Sequence, residues 1–313
     1  MVERGGMKFY VHVPVSLRKG KIPDRVVGVV IMQYAVYGLL MGCILLLATV
    51  GFSMIRRVEG FLNIAHGQML AVGAYSCYVF NNLLGWDIIP SAIAAVLVTA
   101  VIGYLVAYTV FFPLTGKPPL MIAIASTGAS YVIQGLIEVF FGPNVKQYRF
   151  PPMRAIKIGD LSLAGPDQIA MVIAAAITVL FLHFLLTRTE TGKAIRAMAA
   201  NFNLARIRGI NTPRMRVIIW LIASAMGGLA GVMIGLISRL APFMGFEYIM
   251  LIMIVAILGG LGSIYGAMVA ALIIGLITQM SVMVIPPQYS QLIAFVLIIV
   301  VLLIRPQGIF KEA

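Results

Sequence analysis

The sequence predicts an all-α integral membrane protein, a polytopic bundle of eight to ten transmembrane helices, and three observations carry that expectation. Hydrophobic residues make up 61% of the 313 and charged ones only 11%, where a soluble domain carries roughly a quarter charged. The mean hydropathy is +1.04, so the chain holds more apolar surface than a soluble core could hide. The apolar residues gather into runs close to the ~20 residues that cross a hydrocarbon core of ~30 Å. The runs are apolar on all sides, which argues against the alternation of a membrane β-barrel. A soluble enzyme, a disordered chain and a disulfide scaffold are excluded by the same composition.

Residues 1–27 read as a basic tail: Arg4, Lys8, Arg18, Lys19, Lys21 and Arg25 stand against Glu3 and Asp24. The tail has no cleavable signal pattern, because the apolar run that follows outlasts a signal-peptide core. Residues 28–304 read as the membrane domain. Apolar spans fall at 28–53, 61–80, 88–112, 119–141, 168–186, 217–238, 248–260, 264–284 and 289–304. The last two before the final span are one stretch interrupted by Gly259-Gly260-Leu261-Gly262-Ser263, and glycines in series favour a break.

Two connections are long. Residues 142–167 carry Pro143, Pro151, Pro152 and Pro166 and read as an irregular, hairpin-like external loop. Residues 187–216 carry seven basic side chains (Arg188, Lys193, Arg196, Arg206, Arg208, Arg214, Arg216) against Glu190 alone, the strongest cytoplasmic signal in the chain. The tail 305–313, with Arg305 and Lys311, also reads as cytoplasmic, and the four intervening spans agree. The N-terminal tail is in conflict. Its charge argues for the inside, whereas five spans before the basic loop place it outside. Either one stretch is re-entrant or the tail breaks the rule, and 61–80, the least apolar stretch, is the one expected to be irregular.

The net charge of +13 lies mostly between spans, so it reads as positive-inside loops and no nucleic-acid partner is expected. Cys43 and Cys77 sit inside apolar runs and read as small core residues. His12, His66 and His183 lie in different segments, so no metal site is expected. Glycines recur four apart at Gly227, Gly231 and Gly235 and at Gly262 and Gly266, the spacing that lets helix backbones approach closely in lipid.

Three groups of residues invite a role. Asn63, His66 and Gln68 place polar side chains in or beside a span. Burying such groups unpaired costs roughly 1–3 kcal/mol, so they either bond to nearby backbone and shape a bent helix or line a wet pathway. Thr127, Ser130, Gln134 and Glu138 run along one helix face at steps of three and four; they line a pathway or, for Ser126 and Thr127, bond back to their own helix. In the basic loop, Ile195, Met198, Ala199 and Phe202 form an apolar stripe on a short helix capped by Thr191 and stopped at Gly209, with Lys193, Arg196, Asn203 and Arg206 on its other faces. That stripe docks on anionic lipid or in a groove of a soluble partner. No phosphate-binding GxxxxGK[ST], no GxSxG and no HExxH is present, so this chain has no P-loop of its own.

At these residues the sequence resembles the membrane permease subunits of ABC importers for branched-chain amino acids. FLNIAHGQMLAVGAY (61–75) is similar to the family's Asn-x-Ala-His-Gly block, TGKAIRAMAANFNLARIRGIN (191–211) to its coupling loop ending in Gly-Ile-Asn, and GGLGSIYGAMVAALIIG (259–275) with RPQGIF (305–310) to its C-terminal signature. The blocks stand in the family order and cover the chain from about residue 30. Gln68 stands where the family often has Glu, and the loop lacks the Glu-Ala-Ala-x-x-x-Gly spacing of other ABC importers.

The resemblance implies a permease subunit in the cytoplasmic membrane that is itself no enzyme and holds no cofactor. It implies a second homologous permease, two cytosolic ATPase subunits carrying ATP and Mg, and an external substrate-binding protein, with lipid around the bundle. Asn63, His66, Gln68, Thr127 and Gln134 would flank the pathway; Lys193, Ile195, Arg196, Met198, Ala199, Phe202 and Gly209 would belong to the coupling helix. Two alternatives stand: an ion-coupled secondary amino acid transporter, which the placement of Glu59, Asp87, Glu138 and Glu247 near span ends disfavours, and a urea or amide ABC permease. An intramembrane enzyme has no motif behind it.

Overall fold

The computed structural model describes residues 24–149, 157–158, 161–162, 165–305 and 308–309. The tail 1–23 and parts of the 142–167 loop and of the last nine residues lie outside that range. All nine apolar stretches are helical: α1 (Asp24–Glu59), α2 (His66–Tyr78), α3 (Ile88–Val106), α4 (Pro119–Phe141), α5 (Pro166–Arg188), then after two short helices α6 (Glu190–Ala200) and α7 (Phe202–Ile207), α8 (Thr212–Ile237), α9 (Met244–Gly259), α10 (Ile264–Ser281) and α11 (Ser290–Ile304). Wide π-type turns extend α2 through Val79–Leu83 and α3 through Ala107–Phe111. Six of the helices are long and apolar enough to cross a membrane. In the 142–167 loop, Lys157–Ile158 and Leu161–Ser162 pair as a minimal antiparallel hairpin.

α1 is the central post. Of its apolar window 89% is buried, against 22–28% for α3, α4 and α5, which form the periphery. Its most extensive neighbour is α10. The two backbones close on each other through Gly38, Gly42 and Gly275; a methyl group at Gly42 would lie 3.0 Å from Leu272 Cα. Between α9 and α10, Gly260 and Gly262 take φ of +97° and +94°, left-handed values open to glycine at little cost. Ser263 then caps α10 by accepting the Gly266 N–H, so the expected break is present.

Side-chain contacts set the ends of the bundle. Arg216 at the start of α8 pairs with Glu59 at the end of α1 and reaches Thr115 beyond α3; His183 near the end of α5 meets Tyr265 at the start of α10. These ends therefore share one face with α6 and α7. At the opposite face Lys146 bridges to Leu240, and Asn82 beyond α2 bonds to Gln147. α1 thus starts at the face opposite the basic loop.

Two helices start inside the bundle. His66 Cε1 lies 3.4 Å from where a Cβ on Gly227 would stand, and Gly227 is near the middle of α8. Residues 60–65 are non-helical, so the irregular part of 61–80 is its first five residues. α9 begins at the same depth, since a Cβ on Gly67 would strike the Gly245 carbonyl.

Candidate functional site

The chain leaves α1 at Gly60, φ +78°, and climbs to mid-depth before α2 begins. Ser126 Oγ on α4 accepts the Ile64 N–H at 3.1 Å and so holds this non-helical segment. His66 Nε2 donates to the Ala48 carbonyl of α1 at 2.9 Å. Its imidazole fits between α1 and α8 because the residues facing it are Gly51 and Gly227. Asn63, His66 and Gln68 are all buried to 2% exposure or less. Among the described residues His66 Nδ1, Asn63 Oδ1 and both amide atoms of Gln68 have no hydrogen-bond partner, nor do the hydroxyls of Thr49, Ser53 and Ser224. Buried polar atoms are rarely left so, and these seven side-chain atoms belong to α1, α2 with the segment before it, and α8; Gln68 lies against Gly245 of α9 and Ser224 against Gly103 of α3.

Thr127 and Gln134 are not part of that cluster. Ser126 and Ser130 turn inward with Ile122, Ile133 and Ile137, so Tyr131, not Ser130, completes the outward stripe with Thr127, Gln134 and Glu138. The Thr127 hydroxyl donates back to the Ala123 carbonyl at 3.1 Å, and Gln134 Nε2 donates to Glu138 Oε1 at 2.8 Å. α4 stands between the buried cluster and this outer face.

Glu247 departs from the sequence expectation. It lies in the first turn of α9, and α9 starts at the depth of Gly67, so Glu247 sits deep in the bundle rather than at a span end. Its side chain is exposed. Phe246, its neighbour, packs against the Tyr131 ring, centroids 4.9 Å apart and planes tilted by 39°, so the first turn of α9 lies beside the outer stripe of α4. An Asp, Lys or Arg at a helix centre in lipid costs about 2.5–3.5 kcal/mol on insertion scales. Glu247 is therefore not a span-end acid as the sequence suggests.

The basic loop folds as two helices instead of one. Thr189, not Thr191, caps α6 by accepting the Gly192 N–H at 3.0 Å; Asn201 interrupts the helix and caps α7 by accepting the Leu204 N–H. Gly209 ends α7 at φ +85°, as expected. Gly192, Ile195 and Met198 are buried against this chain's own helices, because α6 packs on α5, α8 and α1. The stripe therefore faces inward, with Ala199 and Phe202 half-buried. Lys193 and Arg196 stay exposed, Lys193 paired with Glu190 at 2.9 Å. The apolar groups on the outer surface are Leu204 and Ile207, 51% and 81% exposed, which the i, i+4, i+7 reading of 195–202 passes over.

Arg216 was read as one loop charge among seven. It is largely buried, donating to Glu59 Oε1 through Nε at 2.7 Å and to Oε2 through Nη2 at 2.8 Å. The Trp220 indole donates to the same carboxylate at 3.2 Å, and the guanidinium stacks 4.3 Å above the Phe112 ring. Charge counting cannot separate such an anchor from a solvated side chain.

The family model described as branched-chain amino acid transport system / permease component matches residues 34–302. The high-affinity branched-chain amino acid transport system permease protein BraD of Pseudomonas aeruginosa is 29% identical over 89% of this chain and 95% of its own length. The permease protein LivM of Escherichia coli is 23% identical over 83% of this chain and 66% of its own length. Among solved structures, PsaBC from Streptococcus pneumoniae in complex with Fab aligns over 92% of this chain and 97% of that one, with a TM-score of 0.52 at 13% identity, a likeness of fold alone.

Proposed function

Because this chain belongs to the family of branched-chain amino acid transport permease components, we propose that it is the translocation subunit of an ATP-driven importer of branched-chain or related amino acids. The family match across nearly the whole membrane domain carries this reading. The protein is a multi-pass permease of the cytoplasmic membrane. The six long spans together with α2, α9 and α11 make nine crossings, with the start of α1 outside and the C-terminus inside. The face of α6 and α7 is cytosolic, and the 142–167 loop is external.

ATP and Mg belong to two cytosolic ATPases, selectivity to an external binding protein, and a second homologous permease completes the membrane part. Similarity both to BraD along its whole length and to LivM over two thirds of its length supports a pair of distinct but related permeases. In the transport cycle ATPase closure presses on α6–α7 through exposed Leu204, Ile207, Lys193 and Arg196. Buried Ile195 and Met198 carry that movement to α5 and α8. α8 in turn grips α2, and the bundle opens from the outer face to the inner one. The route runs along the outer face of α4, bordered by Thr127 and Gln134, and Asn63, His66 and Gln68 lie beside it at mid-depth, behind its wall.

Co-purification tests the reading. Affinity-purified protein brings ATPase subunits with it; a chain that transports without them is an ion-coupled carrier. A thermal-shift screen of the binding protein then separates amino acids from urea and amides. In Asn203→Cys the new thiol reacts only from the cytosolic side, and reaction from outside would invert the topology.

His66→Ala is expected to lower import about fivefold while the ATPases stay attached. The magnitude follows from losing one buried hydrogen bond to Ala48, on the order of 1 kcal/mol. His66→Gln, which keeps a donor, should recover most of it. Wild-type import in His66→Ala would reduce the residue to a packing element.

A further inference from the structure

We propose that Glu247 receives the ammonium group of the amino acid as it passes the middle of the membrane, on a wall formed by the first two turns of α9 and the outer face of α4. The inference rests on the import reading above and names, within it, a substrate-contacting residue that neither the family blocks nor the buried polar cluster contains.

Depth, exposure and the absence of a partner are independent observations. Glu247 follows Gly245, which lies against Gly67 and against the Gln68 side chain. Those two residues stand level with the middle of α8, so the carboxylate is near the bundle's midplane. It is nevertheless exposed, as are Phe243 and Met250 one turn to either side, each at 51%. The three recur at i, i+4 and i+7, so they form one face of α9. Among the described residues no basic group forms an ion pair with Glu247.

A carboxylate on the outside of a chain at this depth is poorly suited to lipid and needs a polar counterpart. The surroundings identify which kind. Tyr131, 61% exposed, reaches the same wall through its contact with Phe246, and the polar pair Gln134–Glu138 continues it along α4. One carboxylate set among Phe243, Phe246, Met250 and Tyr131 matches a small molecule with one ammonium and a branched hydrocarbon side chain. The buried cluster at Asn63, His66 and Gln68 offers no such opening, because its side chains are almost wholly covered by the chain itself. The wall completes a passage when the second permease covers it.

The experiment uses the complete transporter in proteoliposomes with its binding protein and radiolabelled leucine. Glu247→Gln is expected to lower leucine imported per ATP hydrolysed at least tenfold, and Glu247→Asp to keep a third or more of it. A nitroxide on Glu247→Cys provides a second measurement that does not depend on transport; native Cys43 and Cys77 are buried. Collisions with a water-soluble nickel chelate, reduced by leucine, are expected. A label that meets oxygen but not nickel faces lipid, and one that meets neither is packed against the partner permease; either result overturns the proposal. So does wild-type coupling in Glu247→Gln. If the wild-type assembly imports no amino acid, the import reading itself fails and this proposal with it, whereas normal wild-type import beside an unaffected Glu247→Gln refutes the proposal alone.

Discussion

Gly231→Leu is expected to abolish recovery of folded permease, the largest effect of any single substitution considered. A Cβ at position 231 would run into the backbone carbonyl of Leu70 on α2 and stand within 2.9 Å of its Cα. Overpacking a yielding core costs about 1–3 kcal/mol. Here the obstacle is backbone, and α2 is hemmed in by α8, α3 and α9, so the cost exceeds that range. Helix pairs in lipid gain their association largely from such close packing. Even Gly231→Ala should lower the melting temperature of the purified protein. Gly128 and Gly135 are the controls, because a Cβ at either meets nothing within 4 Å. Alanine there should be neutral or stabilising by up to about 1 kcal/mol, the helix propensity difference. Equal behaviour of Gly231→Ala and Gly128→Ala in a thermal melt would refute the packing argument.

Arg216→Ala should cost about 3–5 kcal/mol, the usual penalty for stranding one member of a buried ion pair. The side chains of Arg216 and Glu59 are 11% and 10% exposed, so the remaining carboxylate would keep only the Trp220 indole. Lysine is a poor replacement because it lacks the planar fork that grips both carboxylate oxygens. The double variant Glu59→Met with Arg216→Met should be closer to wild type than Arg216→Ala, since it leaves no charge unpaired. Denaturation of the detergent-solubilised protein measures both. A double variant as damaged as the single one would show that shape, and not charge pairing, governs the joint. The joint ties the end of α1 to the start of α8 beside α6, so import should fall more steeply than ATPase attachment.

Hydropathy alone located the apolar helices among the described residues, six of them long enough to cross a membrane, because runs of apolar residues have few other uses. It could not locate where a helix begins in depth. That α2 starts at His66 and α9 at Met244 depends on the meeting of Gly67 with Gly245, two residues 178 positions apart. The same limit hid the position of Glu247, which a linear reading places beside a span end. On α4 the polar residues were grouped together, but Ser126 and Ser130 share the phase of Ile122, Ile133 and Ile137. The helix buries that face, and Ser126 is needed there to hold Ile64. In the basic loop the apolar stripe was legible and its destination was not. Ile195 and Met198 cover the chain's own helices, a choice that amphipathic spacing does not reveal.

The pairing of α1 with α10 has a consequence for biosynthesis. As it leaves the ribosome, α1 presents Gly38 and Gly42 to a partner whose contacting residues, Leu272, Gly275 and Leu276, are more than 200 positions downstream. At about 5–20 residues per second, α1 waits on the order of ten to forty seconds for that partner to be synthesised. Throughout that interval its glycine face is an open docking strip, held by lipid, an insertion factor or some other nascent helix. Truncation before residue 264, where α10 begins, should therefore leave the central helix unclasped and the fragment a substrate for membrane proteolysis. The synthesis of α10, and not the insertion of α1, would then be the point at which the chain commits to its native core.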